Sequence, residues 1–335
     1  MKKVICLSIA LIMLVFTLAG CQPASPPETA QDPASPSTPP VTAAPTEMRR
    51  VGLLVAHMAD QWSIESHTLV AEQGPSRGFE ITLADSTWEA RTEVQHLDTF
   101  MAMDLDLLLL WPVHEVASAG AVQNFMDTTG IPVIAVAVLP EVEGLAGFVG
   151  WDTWDAGYSI GQKAADYIES DVDGTANVVL LYMHDENVLV RKQAFLQALD
   201  DRGVDYNVLF ERNFEGVRET AHNIMESVVQ ANPDFDVVWA AFDGGALGAR
   251  SALEAANHHA RIFSSGGFEQ EVYDLFAAND YWYRAGFIVS PHVYGPAILD
   301  AAERFFVGEQ VGTVHAPCRV ATVENFREVW RGDPE

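Results

Sequence analysis

Residues 105–136 read LDLLLLWPVHEVASAGAVQNFMDTTGIPVIAV. Two apolar runs, Leu105–Leu110 and Ile131–Val136, flank an amphipathic stretch from Val116 to Met126. Neither run alternates polar with apolar residues, as a strand with one wet face would. Continuous apolar strands separated by a helix predict a parallel pair buried on both faces. Working outward, the same unit repeats. Val51–Ala56 is a strand followed by a helix through Leu69 and Ala71, and Phe79–Ala84 is a strand followed by a helix over Glu89–Met101. After Gly150 the rhythm restarts, with strands at Ala176–Leu181, Tyr206–Phe210, Val237–Ala241 and Ile262–Ser265. Helices lie near 189–202, 216–231 and 245–257, before a strand over Arg284–Val289, a helix over Tyr294–Val307 and a strand over Arg319–Val323. Two successive βα series predict an α/β chain of two doubly wound, Rossmann-like lobes.

In such sheets a ligand sits beyond the carboxyl ends of the strands, so the loops there carry the information. Those loops hold His57, Asp60 and Trp62; Trp111, Pro112 and His114; then His184 to Asn187, with Arg191 opening a helix. Phe214 and the run Phe242-Asp243-Gly244-Gly245 follow. One aromatic side chain in such a place is more often core than contact. Several at the same end of two sheets predict a cleft with flat walls and a few polar groups.

The ends of the chain set its compartment. Lys2 and Lys3 precede an apolar stretch, Val4–Leu18, that is short for a membrane span and ends in Leu18-Ala19-Gly20-Cys21. That ending resembles the lipobox of exported bacterial lipoproteins, and it implies a signal peptide over 1–21 with lipid carried on Cys21. Residues 22–48 are rich in Pro, Ala, Ser and Thr, a composition that buries no core and reads as a disordered tether. At about 3.1 Å per residue such a segment reaches roughly 80 Å. The remaining residues, about 285, suffice for two domains of ordinary size. With Cys6 and Cys21 assigned to the leader and its anchor, Cys318 has no disulfide partner within the body.

A formal charge of −28 argues against nucleic acid and against an anionic membrane surface as partners. Catalytic constellations are missing: the sequence holds no G-x-S-x-G elbow, no phosphate loop and no G-x-G-x-x-G after the first strand. His258-His259 and His184-Asp185-Glu186 lack a metal-ligand spacing. The reading is a binding protein rather than an enzyme, with no cofactor and no metal, and monomeric.

Taken together, the body resembles the ribose/galactose-type periplasmic solute-binding proteins of ABC transporters over 50–325. The residues that carry the likeness are Gly130-Ile-Pro-Val-Ile134, Val149-Gly-Trp-Asp152 with Asp155-Ala-Gly157, Arg191 with Phe195, and Ala246-Leu-Gly248 after Asp243. The resemblance implies a type I periplasmic binding protein fold with a three-segment hinge near Gly150-Trp151, Val289-Ser290-Pro291 and His315-Ala316-Pro317. The N-terminal lobe would comprise 49–150 plus 291–315, and the C-terminal lobe 151–290 plus 316–330. It also implies a solute held between Trp62, Trp111, Phe214 and Phe242 and oriented by Asp60 and Arg191, with Asp243 as a contact or a structural cap. Closure around the solute would be read by an ABC permease, or alternatively by a membrane histidine kinase or chemoreceptor.

The chain departs from the sugar-binding pattern at several places. Ala137 and Val138 stand where a polar pair is usual, Phe242 replaces an amide, Gly266 an aspartate and Val289 a glutamine. A carbohydrate-like or partly apolar solute is the favoured ligand. A methylated amine in an aromatic cage is the alternative, because indole faces attract such cations by roughly 0.5–2 kcal/mol.

Overall fold

The structure, a computed structural model, describes residues 48–231 and 234–333. Cys21, its leader and nearly all of the tether lie outside the described residues. In chain order the first lobe contributes β1 (Arg49–Val55), α1 (Gln61–Gln73), β2 (Phe79–Asp85), α2 (Ala90–Met101), β3 (Leu107–Leu110), α3 (Ala119–Thr129), β4 (Val133–Val136) and β5 (Gly147–Gly150). The second series runs α4 (Thr153–Asp171), β6 (Ala176–Tyr182), α5 (Glu186–Arg202), β7 (Tyr206–Asn213), α6 (Arg218–Ala231), β8 (Val237–Ala240) and α7 (Asp243–Ala255). It continues with β9 (Arg261–Ser264), α8 (Gln270–Ala277) and β10 (Tyr283–Ile288). Then come α9 (Pro291–Phe306), β11 (Gly312–His315), β12 (Arg319–Ala321) and α10 (Phe326–Arg331).

These strands form two six-stranded sheets, ordered β11-β5-β4-β3-β1-β2 and β12-β10-β9-β8-β6-β7. The first sheet is parallel throughout, with Val51 facing Ile81 on one side and Leu107 on the other. The second is parallel except for β12, which runs antiparallel to β10. All four leucines of β3 and all of Val133–Val136 are fully buried, as sheets covered on both faces require. The chain passes between sheets three times: after β5, between β10 and β11, and between β11 and β12. No helix among the described residues is long and apolar enough to cross a membrane.

Two strands escape the sequence pattern. Gly-Phe-Val-Gly in β5 and Gly-Thr-Val-His in β11 are short and glycine-bearing, yet they pair in register to extend the first sheet. Conversely, the run from Leu105 begins its strand only at Leu107; just before it, the Asp106 carboxylate accepts a hydrogen bond from the Arg50 amide at 2.8 Å.

Three of the helix starts that follow strands, those of α1, α4 and α5, are capped by aspartate side chains. Asp60, Asp152 and Asp185 accept from the amides of Ser63, Asp155 and Val188, satisfying donors the first helical turn leaves open. Helix α4 then approaches α5 at van der Waals limit. A Cβ on Gly157 would lie 2.0 Å from the Arg191 carbonyl oxygen, and one on Gly161 would lie 2.5 Å from that of Phe195. Glycine at 157 therefore sets where the backbone of Arg191 stands.

Candidate functional site

Trp62, on the first turn of α1, is the hub of the first lobe's contribution. Its indole N–H donates to the Val289 carbonyl at 2.8 Å, tying α1 to the segment that leaves β10. Its ring meets Trp111 and Trp151 edge-on at 5.7 and 5.6 Å and lies 5.1 Å from Tyr294. Trp111, just past β3, is 6 % exposed and stacks on His67 at 5.3 Å with 19° between planes. His57 stacks on the half-exposed Trp88 at 4.2 Å and faces Trp111 at 4.8 Å. Burial holds both imidazoles neutral. The pKa of His57 is lowered by desolvation against the opposing pull of Asp60 and Asp85. That of His67 falls to about 4, again through desolvation, while its Nδ1 lies 2.8 Å from the Ser63 carbonyl.

Asp60 is partly exposed, caps α1 and lies 3.5 Å from His57 Nε2. Next to it, Gln61 accepts a hydrogen bond from the Gln270 amide at 2.7 Å, a direct contact between the first lobe and the start of α8. The rim is acidic on both sides. Burial, then Asp60, raises the pKa of Glu269; burial, then Asp185 and Glu186, raises that of Glu115.

The second lobe is built differently. Arg191, on α5, is almost wholly buried; its Nη1 donates to the Ser265 and Ala241 carbonyls at 3.2 and 3.4 Å, and its Nε has no partner. Its guanidinium carbon stands 5.9 Å from the centre of the Trp151 ring. Burial pulls its pKa down; Asp185 and Cys318 oppose that without forming an ion pair. Cys318 is a free thiol pushed up to about 12, chiefly by burial, and its Sγ lies 3.3 Å from the Ala316 carbonyl.

Phe242 is partly exposed and lies 5.1 Å from Phe214, which exposes no surface. Phe214 sits in the space Gly245 leaves open, where a Cβ would come within 2.9 Å of its ring. Its role is therefore to back Phe242 from behind rather than to face a solute in this conformation. Asp243 is likewise internal, 2 % exposed. It accepts from Tyr283 Oη at 2.6 Å, Ser264 Oγ at 3.2 Å and the Glu269 amide at 3.2 Å. Burial raises its pKa to about 7 in spite of these donors. It organises the loop before α8; a Cβ on Gly267, at φ +149°, would collide with its carboxylate at 1.9 Å.

Of the seven residues singled out from the sequence, the structure brings Trp62 and Arg191 to Trp151, with Trp111 packed edge-on against Trp62 and Asp60 at the rim. Phe242 forms part of the second lobe's surface with Phe214 behind it, and Asp243 is structural. Trp151, Trp88, His57 and His67 complete the aromatic layer. His57 stood among the loop residues read from the sequence; the signal of the others was faint, since Trp151 reads as part of a crossing and His67 as an ordinary inward position on a helix.

A family model described as a periplasmic binding protein domain matches residues 51–310. The chain belongs to the periplasmic binding protein family. Among curated relatives of this periplasmic binding protein, the ribose import binding protein of Bacillus subtilis is 23% identical over 331 residues, covering 96% of this chain and 99% of its own. The xylitol-binding protein of Mycolicibacterium smegmatis is 26% identical over 218 residues, 64% of this chain and 60% of its own. Among solved structures, a solute-binding protein from Bacillus halodurans with bound myo-inositol superposes with a TM-score of 0.75 at 18% identity, covering 86% of this chain and 99% of its own. The arabinose-transporter binding protein of a Shewanella species, bound to L-arabinofuranose, gives 0.73 at 21%, covering 84% and 95%. At such identities the superpositions establish a shared fold, the two-lobed α/β architecture already described.

Proposed function

We propose that this periplasmic binding protein captures a small hydroxylated solute of the sugar and polyol class between its lobes and delivers it to an ABC importer. One observation carries the reading: Trp62 and Arg191, from opposite lobes, both reach the Trp151 ring, at 5.6 and 5.9 Å. A ligand touching both would gain contacts in the closed arrangement that neither lobe offers alone, and such differential contact is what drives closure. Trp62 offers a flat apolar face for a ring with the buried Trp111 packed against it, while Asp60 and Arg191 supply an acceptor and donors for hydroxyls. The curated relatives that import ribose and bind xylitol support the solute class.

The three passages between sheets serve as the hinge, dividing the body into 49–150 plus 291–315 and 151–290 plus 316–330. The leader exports the chain, Cys21 anchors it by lipid, and the Pro-rich segment gives the body reach toward its permease. The test is a thermal-shift screen of the purified protein against sugars, polyols, sugar acids and methylated amines. A ligand at a thousand times its dissociation constant stabilises by about 4.1 kcal/mol, a shift of several degrees for a body of this size. A screen in which no sugar, polyol or sugar acid raises the melting temperature contradicts the proposal.

A further inference from the structure

Arg191 is a buried cation without a counter-ion. Among the described residues no carboxylate forms an ion pair with it, whereas the more exposed Arg77 and Arg250 each hold two. Among the described residues its hydrogen bonds are two long ones from Nη1 to backbone carbonyls. Nε is enclosed without a partner, and no hydrogen bond is made by Nη2. The nearest acidic influence, Asp185, is committed to capping α5 through the Val188 amide. The position beside the guanidinium is Gly266, where even a Cβ would lie 2.8 Å from Nη1, so no side chain from that loop meets the charge.

Leaving a desolvated charge uncompensated is costly, and a solute that seals the cleft over it removes the remaining water. A neutral ring offers hydroxyl dipoles in exchange. A carboxylate offers a full opposite charge in the planar geometry that a guanidinium fork accepts in two parallel bonds. A dianion such as a phosphate ester would want more donors than one guanidinium, and among the described residues no second cationic side chain is in contact with Arg191. A methylated cation would be repelled. Resting on the proposed capture of a hydroxylated solute, we infer that the preferred ligand is a sugar acid, a polyhydroxylated monocarboxylate whose carboxylate meets Arg191 and whose carbon skeleton lies on Trp62. The chain's net charge of −28 opposes an anion at long range, but salt screens that field beyond about 8 Å, whereas the guanidinium contact is direct.

The experiment is calorimetry of the full chain with matched pairs: ribose and ribonate, arabinose and arabinonate, galactose and galacturonate. In the best-bound pair the acid is expected to bind at least about tenfold more tightly, 1.4 kcal/mol, than its neutral partner. Gly266→Asp, which places a carboxylate against the guanidinium, is expected to cancel or reverse that preference while the neutral partner still binds. Arg191→Gln should abolish the preference as well; circular dichroism checks that it folds, and Gly266→Asp decides the matter if it does not. Neutral sugars binding as tightly as their acids, or an acid preference that survives Gly266→Asp, would overturn the inference and leave sugar capture standing. Binding of neither class would overturn both.

Discussion

The two lobes share a fold but finish their facing ends in opposite ways. The first lobe ends in neutral rings: Trp62, Trp111 and Trp88 interleave with His57 and His67, both held uncharged by burial. The second ends in buried ionisable groups, Arg191 and Asp243, each desolvated and each fixed by loop carbonyls, hydroxyls or amides. In the proposed capture of a solute, one lobe would supply surface to lie on and the other polarity to orient against. A solute recognised by both must be flat or ring-like on one side and strongly hydrogen-bonding on the other.

The largest effect that would break this comparison concerns Phe214. If it supports the second lobe from within, Phe214→Ala should cost about 3–5 kcal/mol of stability, as loss of a fully buried ring does. Chemical denaturation measures it, and a loss under about 1 kcal/mol would show that the ring is not the internal prop described here.

A pH test comes next in size. His67, with its pKa lowered from 6.5 to about 4, favours the folded state above pH 6.5 and loses that contribution as pH falls toward 4. The amount lost between pH 7 and 5 is on the order of 2 kcal/mol. Asp243, raised from 3.8 to about 7, works the other way: its contribution is complete below pH 3.8 and is lost as pH rises through 7. The two slopes offset one another, so the unaltered protein should show little change in melting temperature between pH 5 and 7. His67→Gln should melt at lower temperature at pH 7 than at pH 5, and Asp243→Asn the reverse. Identical pH profiles for the two variants would contradict the assignment of opposite electrostatics to the lobes.

Trp62→Phe should have a smaller effect, because it keeps an aromatic face but removes the hydrogen bond to the Val289 carbonyl. The expected cost is about 0.5–1.5 kcal/mol, shown as a larger radius of gyration without ligand as the tie to the β10 exit is lost. Smallest of all is Trp88→Ala. Trp88 is 52 % exposed and stacks on His57, so stability should change by less than about 1 kcal/mol, with a modest loss of ligand affinity as the signal that it borders the cleft.

Much of this was legible in the sequence because the sheets are buried on both faces. Leu107–Leu110 and Val133–Val136 leave no other reading. What escaped notice was held by context. Strand β11 is mostly exposed at a sheet edge and pairs only because β5 lies beside it. In the site, Trp62 and Arg191 were visible as loop-end residues, but whether an aromatic side chain faces inward or outward depends on neighbours far away in sequence. Phe214 fills the gap at Gly245, and Asp243 is claimed by Tyr283, forty positions on. No local pattern announces either. Nor does composition reveal that Arg191 lacks a carboxylate: the chain is rich in acidic residues, yet among the described residues none forms an ion pair with it.

The most direct test of the shared cleft is a crystal structure with a solute that the thermal screen finds. The account predicts density lying within contact of both the Trp62 ring and the Arg191 guanidinium, with Phe242 at its edge and Phe214 behind. A solute held by one lobe alone, or bound elsewhere while Trp62 and Arg191 stay untouched, would contradict it.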